Sequence, residues 1–481
     1  MKILFVSSEV VPFAKTGGLA DVSYALPIAL KKKKQHIVVM LPLYKQIDLK
    51  KYKIKIVTQD IPVVFPDRTE YFSLYEGKIN KSIPVYFISN RDYFYRDFLY
   101  STPKGDYPDN AQRFIFFSKA VLEASKVVGF QPDIIHCNDW QTALIPLFLK
   151  TFYSKDGFFY RTSTVFTIHN LAYQGIFSVS VFSLIGLGWT SFTHEKLEYY
   201  GKVNFMKAGI ILSDIVNTVS ENYASQIQTP EFGHGLDGVL KTRQNQLYGI
   251  LNGIDYRQWN PQRDRYIPYR YNKGCLEKKE MCKKVFLSQQ NLLYKEQKPL
   301  IGFVSRLAEQ KGVDILLNAV PQLVELGFQL IILGKGNEPI EKRFYEIERN
   351  HSSSVRVNIT FDERIAHNIY AASDFFIMPS RFEPCGLGQL ISFVYATVPV
   401  VNPTGGLYDT VKEFNPVDRE GNGFLMKSYS SDALIDALKK AKNVYNNKSQ
   451  WRALQLNLLE QDYSWEKSAS KYIELYKKVI K

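Results

Sequence analysis

The stretch that decides the fold lies near the start of the chain, where Ile3-Leu4-Phe5-Val6 precedes Thr16-Gly17-Gly18-Leu19-Ala20-Asp21-Val22. The four apolar residues predict a buried strand, and the segment that ends at Leu30 is read as a helix. Paired glycines between a strand and a helix let backbone N–H groups approach an anion, which the helix N-terminus also favours. The pattern is not G-x-G-x-x-G, so the dinucleotide fingerprint is absent.

Short β-branched or aromatic runs alternate with helical patterns along the chain, which is typical of β–α–β units and parallel sheets. We expect strands at Ile3–Val6, Ile37–Leu41, Val85–Ile88, Ile134–His136, Thr164–Thr167, Ile215–Thr218, Tyr248–Leu251, Leu300–Val304, Gln329–Leu333, Val355–Phe361, Phe375–Met378 and Val398–Val401. Each half is then an α/β, doubly wound sheet that binds its ligand beyond the carboxyl ends of the strands. An amphipathic helix at about Trp465–Val479 ends the chain.

The length of 481 residues predicts two domains, because single cores stop growing at roughly 250–300 residues. The turn-rich step Asn252-Gly253-Ile254-Asp255 marks the boundary between them. We therefore expect an N-terminal domain at 1–253, a C-terminal domain at 254–462 and a terminal helix at 463–481.

Composition narrows the class of protein. The formal net charge of +14 suits an anionic ligand, but the basic residues are scattered and mostly lysine, so we expect no nucleic-acid partner. The one dense run, Lys31–Lys34, fits the solvated end of a helix. Four cysteines without metal spacing, no leader peptide and no long apolar run predict a cytoplasmic protein with no membrane contact.

A second glycine turn, Thr404-Gly405-Gly406-Leu407-Tyr408-Asp409, follows a predicted strand of the second half. A single T-G-G-L is close to chance. Two copies at analogous strand–helix junctions favour a ligand that is held from both sides.

The stretch Pro379-Ser380-Arg381-Phe382-Glu383-Pro384-Cys385-Gly386-Leu387-Gly388 joins a predicted strand to a helix. A lone carboxylate in such a place is often a helix cap, and Glu383 is a catalytic candidate because it lies at the carboxyl edge of a sheet.

Arg306 and Lys311 lie in the loop after the predicted strand Leu300–Val304, and Lys15 precedes the first glycine turn. Cations beyond strand ends can stabilise a diphosphate leaving group. The alternative is ordinary surface ion pairing.

His136-Cys137-Asn138-Asp139-Trp140 and Thr167-Ile168-His169-Asn170 each end a predicted strand. Their polar side chains can bond sugar hydroxyls, and Trp140 can supply an apolar face. A structural histidine is the alternative for either ring. No D-x-D, H-E-x-x-H, G-x-S-x-G or P-loop pattern occurs, so we expect no metal and no cofactor.

The sequence resembles the family of bacterial glycogen synthases and plant starch synthases. The most specific matches are K-T-G-G-L-A-D-V at 15–22 and P-S-R-F-E-P-C-G-L-x-Q-L at 379–390. Other matches follow in the family's order at Val6–Val10, His136–Gln141, Thr167–Gly175, Gly235–Leu240, Asn252–Asp255, Ser305–Gly312 and Thr404–Val411.

The resemblance implies a GT-B fold, in which two Rossmann-like domains face a cleft and the C-terminal helix crosses back to the first. The first domain would lie on the acceptor side and the second on the donor side. The implied reaction is a retaining, metal-independent transfer of glucose from ADP-glucose to the non-reducing 4-hydroxyl of an α-1,4-glucan such as glycogen. We find no clear nucleophile of the kind that retaining hydrolases use. The mechanism that the resemblance implies is attack on the same face of the sugar, in which the leaving phosphate takes the acceptor proton.

Matching positions imply roles for individual residues. Those implied in catalysis are His169, Asp139 and Glu383. Those implied in binding the donor diphosphate or nucleotide are Lys15, Gly17, Gly18, Arg306, Lys311, Phe361, Thr404, Gly405 and Gly406. Those implied in lining the sugar site are Asn252, Cys385, Gly386 and Leu387.

The chain departs from the family at two places near the donor. Asn402-Pro403 stands where relatives often carry arginine, and Phe361 stands where a tyrosine commonly stacks on adenine. Phe361 keeps the stacking face. The loss of arginine leaves the preference between ADP-glucose and UDP-glucose open.

Other readings predict different outcomes. Another GT-B transferase would use a different nucleotide sugar or a small acceptor, and a glucan-binding regulatory protein would bind glycogen without releasing ADP. An oxidoreductase fits poorly, because the glycine spacing does not suit a nicotinamide cofactor.

Overall fold

The computed structural model describes residues 1–480 and divides the chain into two compact units. The first unit comprises Met1–Gly253 together with the chain from Trp465 onward, and the second comprises Ile254–Ser464. The chain therefore returns from the second unit to the first after Ser464, two residues later than the expected boundary between 462 and 463. Within the described residues, no helix has the length and apolar character needed to cross a membrane.

The first unit is built on a sheet whose strand order is β14-β13-β9-β8-β1-β2-β5-β4-β3. Its strands, including short pairs outside this sheet, are β1 Lys2–Val6, β2 His36–Pro42, β3 Lys55–Val64, β4 Thr69–Ile79, β5 Ile83–Ser89, β6 Ser101–Thr102, β7 Gly105–Asp106, β8 Ile134–Asn138, β9 Ser163–Ile168, β10 Ile176–Phe177, β11 Glu198–Tyr199, β12 Lys202–Asn204, β13 Ile215–Thr218 and β14 Leu247–Gly249. The order reverses between β1 and β8, and doubly wound sheets bind ligands beyond the strands at such a switch point.

One part of this sheet differs from the sequence prediction. The strands β3 and β4 were not expected. β3 pairs antiparallel with β4, and β4 pairs antiparallel with β5, at the edge of an otherwise parallel sheet. Most of β3 is exposed and its burial does not alternate over the first half. A strand with so few buried positions lacks the period-two pattern on which a sequence prediction depends.

The helices of the first unit cover its sheet, and the terminal helix packs among them. They are α1 Gly18–Lys32, α2 Arg91–Phe94, α3 Asn110–Val127, α4 Ile145–Lys150, α5 Phe182–Ile185, α6 Phe205–Leu212, α7 Glu221–Gln226, α8 Asp237–Thr242 and, after the second unit, α17 Trp465–Lys477. Two tyrosines of α17 bond to the sheet: the hydroxyl of Tyr476 lies 2.7 Å from His136 Nδ1, and Asn217 Nδ2 donates to the hydroxyl of Tyr472 at 3.1 Å. The terminal helix thus returns to the first unit.

The second unit has a six-stranded parallel sheet in the order β17-β16-β15-β18-β19-β20. These strands are β15 Leu300–Val304, β16 Gln329–Leu333, β17 Val355–Asn358, β18 Phe375–Met378, β19 Val398–Val401 and β20 Phe424–Leu425. Numbered from the first of them, the order is 3-2-1-4-5-6, the Rossmann arrangement, with its switch point between β15 and β18. The α/β class with two Rossmann-like sheets is confirmed, while β17 ends three residues before the predicted Phe361.

Helices lie on both sides of the second sheet. They are α9 Glu277–Gln289, α10 Val313–Glu325, α11 Glu338–Asn350, α12 Glu363–Ala372, α13 Gly388–Val394, α14 Gly406–Thr410, α15 Ser431–Asn446 and α16 Lys448–Leu459. A buried ion pair of 2.8 Å between Lys283 of α9 and Asp374 before β18 joins a helix to the strand that precedes the candidate carboxylate. Removing one partner of such a pair would leave a buried charge, which is strongly destabilising.

Candidate active site

In the first unit, the first glycine turn is held by a carboxylate that follows β1. Glu9 is 4% exposed and accepts the backbone N–H of Thr16 at 2.5 Å and of Gly17 at 3.2 Å. The hydroxyl of Thr16 donates to its other oxygen at 2.6 Å. Glu9 thus fixes the turn immediately before α1, whose N-terminus favours negative charge. The sequence analysis assigned no role to Glu9, although it lies inside the matching segment Val6–Val10.

Lys15 projects from the same turn. Its Nζ lies 2.7 Å from Asp21 Oδ1, and the two side chains are 52% and 36% exposed. An exposed pair of this kind contributes little to stability. An anion bound at the N-terminus of α1 can therefore recruit Lys15 at low cost.

Asp139 follows β8 in a backbone conformation that is rare for a residue other than glycine, with φ 56°. Its Oδ1 accepts the backbone N–H of His169 at 2.7 Å, which joins the ends of β8 and β9. Burial raises the pKa of Asp139 to about 7, the negative charge of Glu9 adds to this rise, and the backbone N–H groups of His169 and Asn170 oppose it. A strained residue with a pKa near neutrality is typical of a functional site.

His169 is held as a neutral ring with a defined tautomer. The side-chain amide of Asn138 donates to the carbonyl of Val6 at 2.9 Å, so its Oδ1 is the acceptor that lies 2.9 Å from His169 Nε2. The ring hydrogen is therefore on Nε2, and Nδ1 carries the lone pair that can accept a sugar hydroxyl. Burial lowers the pKa of His169 to about 3, so the ring is uncharged near pH 7.

Three further candidates lie in the first unit: Asn252, which is a candidate for lining the sugar site, and His136 and Trp140, whose contacts are structural. Asn252 is 6% exposed, and its buried Oδ1 has no hydrogen-bond partner among the described residues. Such an orphaned acceptor needs a partner and supports a lining role. His136 is fully buried between Tyr476 and Thr167, and it holds the terminal helix. Trp140 is 8% exposed and packs on Phe114, Phe177 and Phe205, so little of its ring remains for a sugar.

In the second unit, Glu383 and Lys311 form an ion pair beyond the switch point of the sheet. Lys311 Nζ lies 2.6 Å from Glu383 Oε2, with side chains 17% and 8% exposed, and the hydroxyl of Ser380 donates to the same oxygen at 3.1 Å. Gly312 explains how the two loops meet, because a Cβ on it would lie 2.0 Å from the carbonyl oxygen of Pro379. A carboxylate and an ammonium are thus held side by side.

The second glycine turn packs against the loop that carries Glu383. A Cβ on Gly405 would lie 2.0 Å from the carbonyl oxygen of Glu383, and one on Gly406 would lie 2.1 Å from that of Cys385. The N–H of Gly406 donates to Glu383 O at 3.1 Å and to Pro384 O at 3.2 Å. This N–H group is therefore used within the protein, which differs from the expectation that it faces a phosphate.

Arg306 and Phe361 lie on exposed loops of the second unit. Arg306 follows β15, and its Nη2 donates to Gln310 Oε1 at 3.3 Å. Phe361 is 73% exposed after β17, with Lys335 Nζ 6.0 Å from the centre of its ring. The exposed ring offers a flat face on which a base can stack. Asn402, at the position where relatives often have arginine, donates to Ser380 O at 2.8 Å.

The remaining candidates surround the Glu383 loop. Cys385 is a buried free thiol and Thr404 is 3% exposed, whereas Leu387 is partly exposed. Gly386 has φ 72°, and a Cβ there would lie 2.4 Å from Gln389 Oε1. Gln389 donates to the carbonyls of Cys385 and Gly386 at 3.0 Å each. The sequence analysis assigned no role to Gln389, which holds this turn from within α13.

Comparisons with known proteins agree with this arrangement. Residues 2–242 match the family model of the starch synthase catalytic domain, and residues 286–453 match that of the glycosyl transferases group 1. The glycogen synthase of Geotalea daltonii is 47% identical to this chain over 480 residues, covering 100% of this chain and 99% of that protein. The glycogen synthase of Thermotoga maritima is 44% identical over 486 residues, with the same coverage.

Solved structures are similar as well. The catalytic domain of starch synthase IV from Arabidopsis thaliana, solved with ADP and acarbose, matches with a TM-score of 0.91 and 34% identity over 100% of this chain and 99% of that one. Sucrose-phosphate synthase from Thermosynechococcus elongatus has a TM-score of 0.61 and 16% identity over 99% and 98% of the two chains, which shows a shared fold alone. The chain is a glycosyltransferase of GT-B architecture and belongs to the glycogen synthase family, which shares the starch synthase catalytic domain.

Proposed function

We propose that the chain elongates glycogen by transferring glucose from ADP-glucose to the non-reducing 4-hydroxyl of an α-1,4-glucan, with release of ADP and retention at the anomeric carbon. The observation that carries the proposal is the 2.6 Å pair of Glu383 and Lys311 beyond the switch point of the second sheet. When a glycosyl phosphate bond breaks, the sugar becomes positive and the phosphate becomes more negative. A fixed carboxylate beside a fixed ammonium suits both charges.

The donor assignment has two supports. The starch synthase IV domain, similar over the whole chain, was solved with ADP bound. Phe361 presents a 73% exposed ring after β17, at the position where the family stacks a tyrosine on adenine. Lys15, Arg306, Lys311 and the first glycine turn are the proposed ligands of the diphosphate and nucleotide, while the second glycine turn acts by holding the loop of Glu383.

The proposed transfer proceeds on one face of the sugar. The bond between the anomeric carbon and the phosphate oxygen breaks, and its electron pair leaves with ADP. The acceptor oxygen forms the new bond to the same carbon and gives its proton to the leaving phosphate. His169 accepts a sugar hydroxyl through Nδ1, while Asp139 and Glu383 place negative charge near the sugar without forming a covalent bond to it.

The proposal extends to the acceptor and to the place of action. The family takes a glucan acceptor, and glycogen is the finer assignment for this chain. We also propose that the enzyme acts in the cytoplasm, because none of its four cysteines forms a disulfide, as is usual in a reducing compartment.

The test is ADP release and glucose incorporation from ADP-glucose and UDP-glucose, each with and without glycogen. We expect glycogen-dependent ADP release with ADP-glucose as the better donor. Preference for UDP-glucose would overturn the donor assignment. Release that needs no glucan, or glycogen binding without release, would overturn the reaction.

A further inference from the structure

Two residues of the first unit that carry rings, Tyr200 and His234, adopt left-handed backbone conformations at exposed turns. Tyr200 has φ 49° and is 84% exposed at the tip of the β11–β12 hairpin, followed by Gly201 with φ 74°. His234 has φ 47° in a second exposed turn. Two-residue hairpin turns of this hand favour Asn-Gly, and a bulky side chain at positive φ carries strain. Strain of this kind clusters at functional sites, so the side chain of Tyr200 in particular calls for an explanation.

The two turns are joined. The hydroxyl of Tyr199 donates to the carbonyl oxygen of His234 at 3.1 Å, and the rings of Tyr199 and Tyr200 lie 4.8 Å apart, edge to face. A Cβ on Gly235 would lie 2.2 Å from the hydroxyl of Tyr199, so the second turn approaches the hairpin as closely as a glycine allows. We refer to Tyr199, Tyr200 and His234 as the ring cluster.

Buried amides connect the ring cluster to the loop that begins at His169. Gln174 lies in that loop, is 6% exposed and donates to the carbonyl oxygen of His234 at 2.9 Å. Its own Oε1 accepts the amide of Asn204, at the end of β12, at 2.7 Å. Satisfied buried networks rigidify the segments they join. The ring cluster is therefore held in a fixed place relative to the loop that carries a proposed sugar ligand.

The chemistry of the ring cluster suits a chain of sugars. A pyranose has an apolar C–H face and a rim of hydroxyls; a tyrosine ring offers a flat apolar face, and an imidazole can both donate and accept hydrogen bonds. The one carboxylate in the hairpin, that of Glu198, accepts the N–H of Gly201 at 2.7 Å and is used within the turn.

We propose that the ring cluster binds the α-1,4-glucan acceptor at sugars beyond the one that reacts, with Tyr200 as a stacking residue and His234 as a hydroxyl-binding residue. The inference rests on the proposed function, since it assigns the binding of that acceptor. Tyr200 stands at a strained hairpin position where asparagine is the favoured residue.

The strain supplies a clean test, because asparagine is well tolerated at positive φ. Tyr200→Asn and His234→Asn remove the rings and preserve or improve the backbone. We expect each to raise the KM for glycogen about 3- to 10-fold, as fits the loss of one ring contact, with the KM for ADP-glucose and the melting temperature kept or the latter raised. The matched control is Tyr160→Asn, at a tyrosine of the first unit that is 60% exposed outside the ring cluster.

Retention of each protein on a native gel containing glycogen gives a second readout that needs no turnover. Weaker retention of both variants, with the control unchanged, supports the proposal even if the parent transfers no glucose, which would be a failure of the proposed function alone. Parental glycogen KM and retention in both variants would overturn it. A rise in the KM for ADP-glucose instead would also overturn it, because the rings would then contact the donor.

Discussion

In the first T-G-G-L turn a methyl group on Gly17 would meet no atom within 4 Å, whereas in the second a methyl group on Gly405 would lie 2.0 Å from the carbonyl oxygen of Glu383. The two turns share four residue types and a place between a strand and a helix. The first turn is open on its glycine side, and its N–H groups meet the carboxylate of Glu9. The second is filled by protein backbone.

This difference indicates that the glycines of the two turns have different structural roles. At Gly17, glycine leaves room for something outside the turn, such as a phosphate beside a helix N-terminus. At Gly405 and Gly406, glycine lets two loops touch, and the contact fixes the position of Glu383. A repeated motif thus has open space beside its glycine in one unit, where we propose a ligand contact, and supports the carboxylate in the other.

Removing the supported carboxylate should have the largest effect. Glu383→Gln loses the negative charge beside the sugar and leaves Lys311 without its partner, so we expect kcat to fall about 10²- to 10³-fold. Steady-state kinetics with ADP-glucose and glycogen measure it. The control is Glu420→Gln, an exposed loop residue of the same unit. A kcat near the parental value would remove Glu383 from the proposed chemistry.

Glycine-to-alanine substitutions, which add one methyl group to each turn, test the difference between the turns directly. Gly405→Ala must push two backbone segments apart, and its φ of 48° is unfavourable for alanine, so we expect a loss of more than about 2 kcal/mol in stability. Gly17→Ala meets no clash, and we expect its stability to stay within about 0.5 kcal/mol of the parent. Thermal unfolding of both variants is the measurement.

The kinetics of the same two variants complete the contrast. Gly17→Ala should raise the KM for the nucleotide sugar while the protein stays folded, because the methyl group occupies the side proposed for the phosphate. Equal loss of stability in the two variants would show that the turns are structurally equivalent and would refute the distinction.

The smallest expected effect concerns pH. The pKa of Asp139 is about 7, and Glu9, which holds the first turn, contributes to that rise. If the ionised carboxylate supports the positive sugar, kcat/KM should increase as pH rises through about 7. Asp139→Asn should abolish this step, and Glu9→Gln should move it to lower pH. A parental profile without an ionisation near neutrality would contradict this role of Asp139.

The raised pKa of Asp139 also makes the stability of the folded protein depend on pH in a defined direction. The unfolded chain releases the Asp139 proton near pH 4, as ordinary aspartates do, while the folded protein keeps it until about pH 7. The folded state binds more protons in that window, so the contribution of this group to the free energy of unfolding falls as pH rises through it.

Several site residues could be placed from the sequence because they directly follow strands. Apolar runs such as Leu300–Val304 and Phe375–Met378 are buried strands of a parallel sheet, and parallel strands end at one edge. The loops containing Arg306 and Glu383 therefore had to lie at the same edge of the second sheet. The edge strand β3 escaped prediction because exposure on both faces over its first half hides its period.

The sequence by itself determined the α/β class, the two Rossmann-like sheets, the family and the strand-end positions of the candidate residues, since these depend on local periodicity and on motifs contiguous in the chain. Only the tertiary structure decided what each motif contacts. It paired Lys311 with Glu383, closed the second glycine turn with backbone, left the first open, and used His136 to hold the terminal helix. Those outcomes depend on atoms brought together from distant segments, and no local pattern encodes a distance between them.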